Sequence, residues 1–156
     1  NMAHFAELES KTDPTGFTSN THLVVKRVVV VGNDVSTAAG PLGNNNEHVD
    51  GETWCVNFFG GGTWKQTSYN NNFRKMYAGK GFVYNASKNK FLTPQPYASW
   101  SLDGSDDWQA PVTYPNGDQS AYLISWDEDN LRWVGVKISD NSNYRWDADN
   151  TEWVSL

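Results

Sequence analysis

Along most of the chain, apolar and polar positions alternate rather than recur at helical spacing, which predicts a mostly β protein. His4 to Leu8 open an alternation suited to a strand buried on one face, and Lys11 to Thr21 read as a turn rich in Thr, Pro, Gly, Ser and Asn. His22 to Val31, HLVVKRVVVV, is strongly β-branched and predicts the clearest strand; pairing it with residues 3–8 makes a hairpin. Residues 32–51, including Asn44 to Asn46, hold too much Gly and Asn for a regular element and read as a loop. GETWCVNFFGGG predicts the one clear helix, since Trp54 and Phe58, and Cys55 and Phe59, lie four apart. Asp50 is placed as its N-cap, Glu52 in its first turn, and Gly60 as a left-handed C-terminal cap. Trp64, Gln66 and Ser68 then alternate with Lys65, Thr67 and Tyr69, a strand pattern that leaves the buried face open. Asn70 to Asn72 form a turn, Gly79 and Gly81 permit bends, and Phe82 to Tyr84 read as a strand.

The C-terminal half repeats itself. WDEDNLRWV, Trp126 to Val134, returns as WDADNTEWV, Trp146 to Val154. WSLDGSDDW, Trp100 to Trp108, is a looser copy with one extra residue near Asp103 and Gly104, and YNASKNKF, Tyr84 to Phe91, keeps the spacing with other aromatics. With Asp129 and Asn130 at the centre of a turn, a two- or four-residue loop sets Trp126 opposite Trp133 on antiparallel strands. The same arithmetic pairs Trp146 with Trp153 and Tyr84 with Phe91. Asp127 then faces Arg132, a favourable pair, whereas Asp147 faces Glu152, a like-charge one. Cross-strand aromatic pairs contribute about 0.2–1 kcal/mol each, and a single hairpin is marginal in water, so several are stacked.

Composition sharpens this picture. Aromatics make up 14% of 156 residues, with 8 Trp, while charged residues reach only 19%; both coiled coil and intrinsic disorder are disfavoured. The net charge of −6, with scattered Lys and Arg, argues against a nucleic-acid partner. No apolar run spans a bilayer, so no membrane partner is expected. Met2 reads as the natural start, without a basic and apolar leader after it. Cys55 has no partner for a disulfide and reads as a small buried hydrophobe. His4, His22 and His48 are isolated, the Asp and Asn of the turns lack the spacing of a calcium loop, and no hydrolase, zinc or nucleotide motif occurs. No catalytic residue, metal or cofactor is therefore expected. The fold class predicted is α+β, mostly β: a small antiparallel sheet with one short helix over 2–92, then a series of aromatic β-hairpins over 93–156. Thr93 to Pro96 is the joint, where two prolines favour extended backbone.

Trp100, Trp108, Trp126, Trp133, Trp146 and Trp153 are the candidate contact residues for a partner or a glycan. Indoles flanked by Asp, Asn and Gln make sugar platforms, but these positions also face inward in the hairpins, where core packing is the stronger reading. The order of MAHFAEL, a Val-rich strand, a helix ending FFGG, TWKQTSYN, FRKMYAGKGFVY, PQPYASWSLD, WQAPVTYP and the WDEDNLRWV units resembles a family of small virion-associated proteins of marine tailed phages, especially those of cyanobacteria. The resemblance runs over nearly the whole chain; the extra WDADNTEWV copy and the insertion GPLGNNNEHVDG depart from it, and no functional residue is transferred. It implies a non-enzymatic structural protein, a head decoration or tail component, made in the host cytoplasm and carried in the virion. Its implied partners are other virion proteins, and an oligomer is compatible with that role. The alternative is a carbohydrate-binding module for host surface polysaccharide.

Overall fold

A computed structural model describes residues 2–12, 14–43, 48–116 and 119–156. The protein is α+β and mostly β, with antiparallel sheets and one α-helix among the described residues. The chain divides into two compact units, 1–94 and 95–156.

The first unit is a curled five-stranded sheet. Its strands are β1 (Met2–Thr12), β2 (Thr21–Gly32), β5 (Thr63–Thr67), β6 (Val83–Asn85) and β7 (Lys90–Leu92), in the spatial order β5-β1-β2-β6-β7. The β1–β2 hairpin forms, with Phe5 opposite Val29 and Ala3 opposite Val31, and both strands run further toward the turn than the alternation alone indicates. A bulge between Glu7 and Leu8 interrupts the register, and bulges of this kind bend a strand and increase its twist. Two short strands, β3 (Ser36–Thr37) and β4 (Gly40–Pro41), pair with each other. This corrects the reading of 32–51 as wholly irregular: Gly40, at φ 108°, supplies a turn that only glycine makes readily. Asn44 to Asn46 lie outside the described residues.

Helix α1 spans His48–Phe59. Asp50 therefore sits in the first turn rather than at the N-cap, and Glu52 lies past that turn, a second correction. Both positions suit a carboxylate, one by hydrogen bonding and the other by the helix dipole, so the residue type does not separate them. The C-terminus ends as expected: Gly60 is left-handed at φ 74° and the Gly61 amide donates to Val56 O at 2.8 Å, the Schellman arrangement. Helix α1 packs its Cys55 with Phe5, Leu42, Val31, Ala3 and Trp64. Gly51 permits close approach, because a Cβ there would lie 2.2 Å from Phe5 Cζ.

On the other face of the sheet, Ala6, Leu8, Val25, Tyr84 and Phe91 pack with Ala78 and, at the margin, Met76 and Phe82. The segment carrying these last three also stitches the sheet's edges. Ala78 N donates to Thr67 Oγ1 on β5 at 2.9 Å, and Phe91 N on β7 donates to Arg74 O at 3.1 Å. The segment thus links the two edges of the curled sheet.

The second unit is a four-stranded meander, β10 (Tyr122–Asp127), β11 (Arg132–Lys137), β12 (Asn143–Asp147) and β13 (Glu152–Ser155), in sequence order. It is preceded by the short pair β8 (Ser101–Leu102) and β9 (Trp108–Gln109). Trp126 lies opposite Trp133, Trp146 opposite Trp153, and in the first unit Tyr84 opposite Phe91, all in the register that the spacing predicts. The loops contain four residues, closed by Asp127 opposite Arg132 and by Asp147 opposite Glu152, with Leu131 and Thr151 left-handed at φ 50° and 52°. In the looser copy Leu102, not Trp100, lies opposite Trp108: the extra residue shifts the register and sends Trp100 into the cluster above β10 and β11.

Candidate functional site

The turn chemistry of the repeat is the same in both copies. Asp127 accepts from Asn130 Nδ2 at 2.8 Å and from Arg132 Nε at 3.1 Å, and Asp147 accepts from Asn150 Nδ2 at 2.9 Å. The Asn side chains hold both carboxyls below the usual range, aided for Asp127 by Arg132. Because Asp147 spends its oxygens on its own turn, the like-charge pair with Glu152 is tolerated. In YNASKNKF, Asn85 takes the Asp position, accepting from Lys88 N at 3.0 Å, and Asn89 is left-handed.

This register places four indoles in a row on one face, Trp126, Trp133, Trp146 and Trp153, one from each strand of the meander. Trp126, Trp133 and Trp146 are 7%, 8% and 6% exposed. Tyr97, Trp100, Ala110, Val112 and Ile124 pack on them. Trp133 Nε1 donates to Val112 O at 2.8 Å, and Trp126 Nε1 donates to Glu128 Oε1 at 2.7 Å. Glu128 also accepts from Ser99 Oγ at 2.6 Å and Ser99 N at 3.0 Å; these bonds, Ser99 Oγ first, hold its carboxyl below the usual range. Trp153 crosses over Gly135 to stack on Tyr122, with centroids 4.5 Å apart. A Cβ at Gly135 would lie 3.0 Å from the Trp153 ring. Trp153 and Trp100 are half-buried, and their Nε1 atoms are buried without a hydrogen-bond partner. Trp108 is half-buried beside the turn of the short pair. Five of the six candidate tryptophans are thus brought into one cluster, and Trp108 is not among the side chains that pack in it.

Sequence reasoning missed three features of the first unit. The first is a largely buried ion pair. Arg74 Nη1 lies 2.8 Å from Glu52 Oε2, with side chains 6% and 14% exposed. Both partners also hold the outward backbone of Gln66 on edge strand β5: Gln66 N donates to Glu52 Oε2 at 2.8 Å, and Arg74 Nη1 donates to Gln66 O at 2.9 Å. Arg74 Nε reaches Asn89 Oδ1 at 2.9 Å, and Tyr84 OH donates to the same atom. His48, edge-on to Phe73 at 4.7 Å, borders this group. Burial and then the charge of Arg74 push its pKa down. Burial, reinforced by Glu52, pushes the Cys55 thiol up to about 12, leaving it unreactive. The separation of 22 positions between Glu52 and Arg74, and the left-handed φ of 53° at Arg74, have no sequence signature.

The second feature is an aromatic group of His4, Tyr69 and Tyr77, with centroids 5.2–5.5 Å apart, on a face that also exposes Met2 and Val30. The third is a cavity of about 350 Å³ lined by Ser36, Thr37, Asp50, Thr53, Trp54 and Asn57. At its side Trp54 stacks on Phe58, at 4.6 Å and 14°, and Phe58 is exposed. Apolar spacing marks Trp54 and Phe58 as a helical pair, but Ser36 and Thr37 of β3, which share the cavity with Trp54, fall in the segment 32–51 that reads as a loop.

Among the described residues, no three His, Cys, Asp or Glu side chains converge as a metal site, and no helix is long and apolar enough to cross a membrane. No protein family, curated protein or solved structure matches the chain.

Proposed function

We propose that the protein is a non-enzymatic structural component of a tailed-phage particle, a head decoration or tail-associated protein that works through protein–protein contacts. The observation that supports this reading is the use of the repeated indoles as core. Trp126, Trp133 and Trp146 are buried, and two of the three indole N–H groups bond within the unit. The opposite face of the same sheet carries the exposed Leu123 and the half-buried Val134 and Val136, with the exposed Ile138 just past β11. Exposed apolar side chains beside unpaired sheet edges are what a protein–protein contact uses, and this supports the assembly reading. The test is mass spectrometry of purified particles, with antibody labelling to place the chain on head or tail. Recovery at a fixed copy number supports the reading; its absence from particles carrying the other structural proteins overturns it.

A carbohydrate-binding module is the second reading, and the observation that favours it is the Trp54–Phe58 stack beside Asp50, Thr53 and Asn57. Under this reading Phe58→Ala, at an exposed position, abolishes binding on a host-polysaccharide array while leaving the thermal midpoint within a few degrees. Unchanged array binding, or none by the natural chain, removes it.

A further inference from the structure

The two copies of the hairpin repeat pair with each other, and this pairing defines what the outer edges of the meander can accept. An offset of 20 residues carries Trp126 onto Trp146, so β10 corresponds to β12 and β11 to β13. Strands β11 and β12 pair with Val134 opposite Arg145 and Gly135 opposite Tyr144. The outer side of β13 is therefore the repeat equivalent of the side of β11 that takes β12. Likewise, the outer side of β10 is the equivalent of the side of β12 that takes β11. Among the described residues no strand covers either edge.

The backbone groups are aimed correctly. Ile138 N donates to Ala121 O, Lys137 N to Ser142 O and Leu156 N to Asn143 O. Alternation along antiparallel strands then points the amides and carbonyls of Tyr122, Ile124 and Trp126 outward from β10, and those of Trp153 and Ser155 outward from β13. Carried across the offset, the β11–β12 register sets Trp153 of one copy opposite Trp126 of the next, Ser155 opposite Ile124, and Leu156 opposite Leu123. Leu123 and Leu156 are 66% and 62% exposed, and both point to the open face.

We propose that the β13 edge takes the β10 edge of a second copy of this chain in that register, continuing the sheet and the indole row from copy to copy. The contact is heterologous, two different surfaces meeting, so it propagates head to tail instead of closing a two-fold dimer. Its strength is limited by one position. Extending the β11–β12 register by two residues brings Arg132 of the first repeat opposite Asp147, but its equivalent in the second repeat is Glu152, which meets Asp127 of the next copy. Like charges directly opposite weaken a strand pair. The inference stands independently of any particle, since it concerns the purified chain alone.

Sedimentation and directed cross-linking test it on the full chain. Glu152→Arg restores the charge of the first repeat and tightens association by about threefold to thirtyfold. Ser155→Pro removes an outward N–H without touching the ladder to β12, a change edge strands accept, and abolishes association while circular dichroism stays unchanged. Chains carrying Leu123→Cys and Leu156→Cys form a disulfide-linked dimer when mixed, in excess of either alone; the buried Cys55 does not compete. No excess of the mixed dimer, association by Ser155→Pro equal to that of the natural chain, or a monomeric Glu152→Arg chain at about 1 mM overturns the proposal.

Discussion

Replacing Arg74 by Met keeps most of the side-chain volume and removes the guanidinium that Glu52, Gln66 O and Asn89 share. Removing one partner of a buried pair costs about 3–5 kcal/mol, because the other charge is left uncompensated. Lys65 Nζ, 3.7 Å from Glu52 Oε1, relieves part of this, which places Arg74→Met near 3 kcal/mol at the lower end of that range. Glu52→Gln keeps an acceptor for Gln66 N and leaves Arg74 its bonds to Gln66 O and Asn89 Oδ1, so it costs less, about 2 kcal/mol. The double variant leaves no unpaired charge, so its cost stays near that of one single variant, a coupling of about 2 kcal/mol. Urea unfolding read by hydrogen exchange in β1 and β5 peptides isolates the first unit. At a slope of about 1–3 kcal/mol per molar, the midpoint of Arg74→Met falls by about 1–3 M. Additive single effects, or a shift under 0.3 M for Arg74→Met, refute the view that this pair closes the β5 edge.

Gly51→Ala tests the packing of α1 on the sheet. The new Cβ would sit 2.2 Å from Phe5 Cζ, and Phe5 is fully buried, so overpacking of about 1–3 kcal/mol outweighs any gain in helix propensity, read as a lowered thermal midpoint. Acidification is expected to act on the units in turn. Burial lowers the pKa of His4 and of His48, so their contribution is complete above the unfolded value near 6.5 and is lost as pH falls through the lower folded values. In the second unit Asp127, Glu128, Asp140 and Asp147 are held low, first by hydrogen bonds from Asn130, Ser99, Ser142 and Asn150 respectively. Their contribution is present above the ordinary carboxylate value near 4 and lost below it. Peptide-level exchange should therefore show the first unit weakening below about pH 6.5 and the second only below about pH 4; simultaneous loss contradicts the assignment.

What was legible in the sequence is what local chemistry fixes. Trp126 lies opposite Trp133 because Asp127 and Asn130 build the turn between them, and that turn needs no information from elsewhere in the chain. The β1–β2 hairpin follows from valine density, and the end of α1 from three consecutive glycines. The rest depended on distant partners. Which face of β5 is buried was settled by α1 and by the segment around Arg74, since both Gln66 and Thr67 are buried. Trp100 opens the looser copy of the repeat, where one extra residue leaves Leu102 opposite Trp108, and its ring packs on Trp126 and Trp133, at 6.1 and 5.9 Å. The pair of Glu52 and Arg74 is not legible because neither residue's neighbours in sequence mark it as a partner of the other.

The treatment of sheet edges separates the two units and gives the assembly reading its physical content. An unpaired edge is a template for another chain, and proteins that stay apart block it with charge, bulges or cover. In the first unit the β5 edge is blocked at Gln66, where a carboxylate and a guanidinium occupy the outward amide and carbonyl, and the segment from Arg74 to Ala78 ties β5 to β7. Arg74 and Lys75 adopt left-handed backbone at φ 53° and 71° to make that tie, a conformation that costs non-glycine residues about 1–2 kcal/mol each. The second unit makes no such investment. Its edges carry exposed Leu123 on β10 and Leu156 just past β13, and the charge opposed to self-pairing among the described residues of these two edges is Glu152 at the rim. Blocking by a single rim carboxylate is worth little against screening by salt, so raising the ionic strength should favour sheet extension in the natural chain and have the opposite effect on Glu152→Arg.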